Sequence, residues 1–75
     1  MATQKVFLTF PQRLIKDPVL YDLVKRFDVK TNIRGASVTD EIALVALQID
    51  GDEANIRASL DYLRSEGVTV ELLDA

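Results

Sequence analysis

Cysteine and histidine are both missing from this 75-residue chain, and each absence closes a class of chemistry. Without cysteine there is no disulfide, no thiolate metal site and no thiol nucleophile, a composition that fits a cytoplasmic protein. Without histidine the commonest general base and most transition-metal ligation go as well. Glycine is scarce, and Gly35, Gly51 and Gly67 stand apart, so no glycine-rich loop is available to cradle a phosphate. No apolar run approaches the roughly 18 residues of a membrane span, and the opening Met1 to Lys5 is not a signal peptide. Basic residues are few too. Nine of them against twelve acidic ones leave a net charge of −3, and they are scattered, which argues against a nucleic-acid partner held by counterion release.

What is present is an ordinary globular composition, 48% hydrophobic and 28% charged. A chain this short forms one small core, in the size range where pairing or ligand binding often adds stability. The organising stretch is Glu41 to Asp50, EIALVALQID, apolar at seven of ten positions with almost no alternation. A strand with one wet face would alternate, so this one reads as a central strand covered on both faces.

Around it the chain takes a regular order. Lys5 to Phe10 alternates, with Val6, Leu8 and Phe10 on one side and Lys5, Phe7 and Thr9 on the other, and Pro11 ends it. Asp17-Pro18 reads as an N-cap followed by proline at the first helical position. Leu20, Leu23, Val24 and Phe27 then mark an amphipathic helix ending near Asp28. Val29 to Val38 is a more polar strand whose Gly35 points to a bulge or a close backbone approach. Thr39-Asp40 forms a hairpin tip. After the central strand, Asp52 reads as the N-cap of a second helix with a stripe of Ile56, Leu60 and Leu63, and Gly67 as its left-handed cap. Val68 to Leu73 is the last strand.

This βαββαβ order predicts an α+β, ferredoxin-like fold: a four-stranded antiparallel sheet with two helices on one face, the first and third strands central and the second and fourth at the edges. The inward set runs from Val6, Leu8 and Phe10 through Ile33, Val45, Leu47 and Ile49 to Val68, Val70 and Leu72. The uncovered face then carries Phe7, Ile42, Leu44 and Ala46 at its centre, with Asn32, Arg34, Gln48 and Glu71 around them. An apolar patch with a polar rim marks an interface, because leaving it wet forfeits burial energy that a small domain needs.

No catalytic constellation stands out, and no enzyme activity or cofactor is expected. Asp50-Gly51-Asp52-Glu53 has the composition of a cation site, but a strand-to-helix turn with an N-cap and a dipole charge accounts for every residue of it. Acylphosphatases share the fold but cradle an anion after the first strand, where Pro11-Gln12-Arg13 offers one arginine and no glycine. RNA-binding domains share it too and stack bases on aromatics, yet the third strand has none and Phe7 is alone on its face.

Leu8-Thr9-Phe10, Asp17-Pro18-Val19-Leu20, Val29-Lys30-Thr31-Asn32-Ile33, Gly51-Asp52-Glu53, Leu63-Arg64 and Gly67-Val68-Thr69-Val70-Glu71 together resemble the NIL domain, from about Lys5 to Leu73. That family is ferredoxin-like, related in shape to ACT domains, and is known as the C-terminal regulatory module of bacterial methionine-importer ATPases. It also occurs beside iron–sulfur modules and alone. The resemblance implies a single domain over residues 1–75, here a stand-alone small protein, that forms a homodimer and senses an amino acid such as methionine at the dimer interface. By that resemblance the segment around Asn32 and Ile33 lies at or near the ligand. From their placement on the sheet, Asn32 is expected to bond the ligand's polar end and Arg34 its carboxylate, with Phe7, Ile42, Leu44 and Ala46 at the interface. Arg34 stands where the family has leucine, Ala43 where it usually has a glycine, and the hairpin after Gly35 is short. A transporter ATPase or a metabolic enzyme is the protein partner implied, with no nucleic acid and no membrane. The alternative is an adaptor that docks on another protein and binds no metabolite.

Overall fold

The computed structural model of the chain describes residues 1–15 and 18–73. Four strands, β1 (Ala2–Pro11), β2 (Lys30–Val38), β3 (Ile42–Gly51) and β4 (Thr69–Leu73), form one antiparallel sheet in the order β2-β3-β1-β4. Helices α2 (Val19–Phe27) and α3 (Glu53–Glu66) cover one of its faces, and a single turn, α1 (Gln12–Ile15), precedes them. The apolar strand is therefore central and the polar strand an edge, as expected of the ferredoxin-like arrangement.

The register explains the core. Val6 lies opposite Leu47 and Leu8 opposite Val45, all buried, and Leu23 of α2 and Leu63 of α3 close over them with no exposed surface. Ser59 is the one buried polar residue among those described, and its hydroxyl donates to the Ile56 carbonyl at 2.7 Å, which removes the cost of its burial. Two residues of the expected inward set depart from it. Ile33 and Leu72 fall on the helix side by register but remain 56% and 54% exposed. They sit on the two edge strands, and the pair of helices covers the middle of the sheet and leaves its margins open.

The first helix also differs from its sequence pattern. Val19 and Leu23 are its buried residues, whereas Val24 is exposed. Pro18 precedes the helix, with φ −80° and ψ 59°, and its carbonyl accepts the first turn's bond from the Asp22 N–H at 3.0 Å. That ψ is not helical, so proline supplies the flanking residue and not the first helical one. Asp17 lies outside the described residues. The second helix follows expectation at its C-terminal end, and at its start Asp52 takes the N-cap position without a side-chain capping bond. Asp52 is extended at its start, and Gly67 is left-handed at φ 102°, where the Gly67 and Val68 N–H groups close on the Arg64 and Leu63 carbonyls at 3.1 and 3.0 Å.

Three small devices finish the frame. The Thr39 hydroxyl sits inside the hairpin turn, accepting from the Ile42 N–H at 3.2 Å and donating to the Ile42 carbonyl at 3.1 Å. Arg13 of α1 donates to the Glu66 carbonyl at 2.7 Å, placing a cation at the negative end of α3. Leu14 of the same turn is buried in the core, which anchors the connection after β1.

Candidate functional site

The sheet face away from the helices is a grid set by strand pairing. Across β2, β3, β1 and β4 its rows read Asn32, Gln48, Lys5, Leu73, then Gly35, Ala46, Phe7, Glu71, then Ser37, Leu44, Thr9, Thr69. Lys30, Asp50 and Thr3 lie beyond one end, and Ile42 with Pro11 beyond the other. The face therefore divides along the strands. One end is apolar, built on Phe7, Leu44 and Ile42, and the other is polar and charged.

Register in β2 breaks at one point: Ile33 pairs with Leu47 and Gly35 with Ala46, so Arg34 is the extra residue of a β-bulge. Gly35 has nothing within 4 Å of where a Cβ would stand, which makes the bulge, and not a close approach, the feature of this segment. The bulged Arg34 reaches along the open face, and its guanidinium donates to Gln48 Oε1 at 2.7 Å. Gln48 passes the polarity on. Its amide nitrogen donates to the Asp50 carboxylate at 3.3 and 3.4 Å, and Asp50 also accepts from the Thr3 hydroxyl at 2.7 Å. A row of four side chains thus spans three strands, with a neutral amide between a cation and a carboxylate.

The expected site residues divide in the same way. Asn32 and Arg34 share the open face, while Ile33 between them lies on the helix side. Phe7, Leu44 and Ala46 are half-buried and adjoin one another, and Ile42 is more exposed at the apolar end. A concavity of about 280 Å³ runs over Phe7, Leu44 and Ala46 against the Gly35 to Ser37 backbone. Another of about 290 Å³ lies beside it, lined by Lys5, Val6, Arg34, Ala46, Leu47 and Leu73. Sequence reasoning left Lys5, Gln48 and Leu73 without a role. Alternation in β1 put Lys5 on this face, but only cross-strand register brings it beside Leu73 and Gln48.

The acidic turn after β3 does not assemble a site. Asp50 is committed to Thr3 and Gln48, Asp52 flanks α3, and Glu53 pairs with Arg57 at 3.5 Å. Among the described residues no three His, Cys, Asp or Glu side chains group closely enough to hold a metal ion, and no helix is long and apolar enough to cross a membrane.

Comparison with known proteins relates the chain to a family. The methionine import ATP-binding protein MetN 2 of Acinetobacter baylyi is 30% identical over 67 residues, which is 84% of this chain and 20% of that protein. The chain spans about a fifth of the length of that curated relative. The C-terminal domain of an ABC transporter ATP-binding protein from Enterococcus faecalis superposes with a TM-score of 0.82 at 24% identity, covering 93% of this chain and 82% of that one. The de novo designed protein Foldit4 has the same fold at a TM-score of 0.60 and 18% identity, with 97% and 96% of the two chains covered. A designed protein among the neighbours shows that the fold by itself carries no function. The sequence carries more: the NIL domain family model matches from residue 4 to residue 72, and the chain belongs to that family.

Proposed function

We propose that this NIL domain is a non-catalytic regulatory module that pairs with a second copy through the apolar end of its open face and binds a small amino acid, methionine or a close analogue, beside that interface. The observation that carries this reading is the division of one sheet face into an apolar end, Phe7, Leu44 and Ile42, and a polar end where Asn32, Arg34 and Gln48 meet. An apolar patch of this kind favours burial against a partner, and adjoining polar groups give a ligand orientation. The relationship to a methionine import ATP-binding protein supports methionine as the first ligand to try. Regulation follows if the ligand binds the paired form better and so shifts its population, changing how the domain docks on a cytoplasmic partner such as a transporter ATPase.

Calorimetric titration with L-methionine, with other amino acids as controls, tests the ligand. Saturable binding that weakens in Asn32→Ala supports the reading, and a folded protein that gives no heat with any amino acid contradicts it. A second reading draws on β2, whose nine residues are exposed at all but Thr31 and which forms a sheet edge. Such an edge suits a docked protein strand with no metabolite involved. Under that reading Arg34→Ala leaves every small-molecule titration flat, and binding to the partner is the only thing it alters.

A further inference from the structure

The concavity between Lys5 and Arg34 has a chemical preference of its own. Among the described residues two cations line it, together with Val6, Ala46, Leu47 and Leu73, and no carboxylate does. In a chain of net charge −3, the described residues of the open face carry Lys5, Lys30 and Arg34 against Asp50 and Glu71, an excess of one positive charge among them. Of these two carboxylates, Asp50 is occupied, since it accepts from Thr3 and from Gln48. Arg34 spends one bond on a neutral acceptor, the Gln48 amide oxygen, and its guanidinium keeps both its charge and its remaining donors. Among the described residues the ion pairs are Arg57 with Glu53 and Arg64 with Asp61, both on α3 and away from this face.

We infer that this concavity is a subsite for a small organic carboxylate, with the anion held between Lys5 and Arg34 and an apolar chain lying on Ala46 and Leu73. The inference rests on the ligand reading above and narrows it: the group recognised is the carboxylate, and among the described residues of this lining no carboxylate meets the ammonium of an amino acid. Arginine suits the task because its planar fork meets a carboxylate through two parallel bonds, while lysine adds a point charge from the other side. A 2-oxo acid bearing the same side chain is then bound at least as tightly as the amino acid.

Three probes separate the possibilities: L-methionine, its deaminated 2-oxo acid, and L-methioninol, which keeps the ammonium and lacks the carboxylate. Titrated into the full chain, the first two are expected to bind, methioninol to give no saturable signal, and affinity to fall as salt is raised. Arg34→Gln and Lys5→Gln, both at exposed positions, are each expected to weaken the 2-oxo acid about tenfold or more. Methioninol binding as well as methionine, or methionine binding while the 2-oxo acid does not, overturns the carboxylate inference and leaves the amino-acid reading standing. Binding of the 2-oxo acid alone keeps the inference and removes the amino-acid reading. Silence from all three overturns both.

Discussion

Gly67 is the residue where backbone and side-chain constraints coincide. Its φ of 102° lies where L side chains rarely sit, and a Cβ there would fall on the Arg13 guanidinium that caps α3. Gly67→Ala is therefore expected to destabilise the fold by roughly 1–2 kcal/mol or more, read from the urea midpoint. Gly35→Ala makes the contrast, because that site is open and free of positive φ; its effect should stay within about 0.5 kcal/mol. In the core, Leu8→Ala removes a side chain with no exposed surface, and a loss of about 2–5 kcal/mol is expected in the same measurement. Equal destabilisation by the two glycine replacements would contradict the roles assigned to them.

At the scale of elements, β2 is the strand on which the proposed site depends most. Its bulge turns Arg34 toward Gln48, and the edge position leaves Ile33 exposed on the far side. Much of this was legible beforehand. The unbroken apolar run from Ile42 to Leu47 marked β3 as central, the polarity of Lys30, Asn32 and Arg34 marked β2 as an edge, and Gly35 signalled an irregularity. The α1 turn was not legible, since four residues carry no helical repeat, and with it went the burial of Leu14. Nor was the Arg34, Gln48, Asp50 and Thr3 row, because strand alternation names a face but not a cross-strand neighbour. The apolar end of β3 supplies a prediction at this scale. Leu44→Asp places a charge among Thr9, Ser37 and Phe7, and should convert a dimer to a monomer in light scattering while the fold persists. A variant whose mass is unchanged from the parent would exclude the open face as the contact between copies.

For the whole molecule, helices cover one face of the sheet and the proposed function lies on the other. A domain this small leaves the apolar end of its open face exposed at a cost comparable with its own marginal stability, and the proposed pairing would remove that cost. Coupling between pairing and ligand is reciprocal: whatever tightens the dimer on binding ligand must bind more tightly to the dimer. Under the proposed function, a partner protein that senses the paired form would sense the metabolite through it.

The most direct test of this account is the dimer dissociation constant, measured by sedimentation equilibrium with and without saturating L-methionine. The account predicts a reversible dimer whose dissociation constant falls when the ligand is present. A monomer at every concentration, or a dimer whose dissociation constant the bound ligand leaves unchanged, would contradict it.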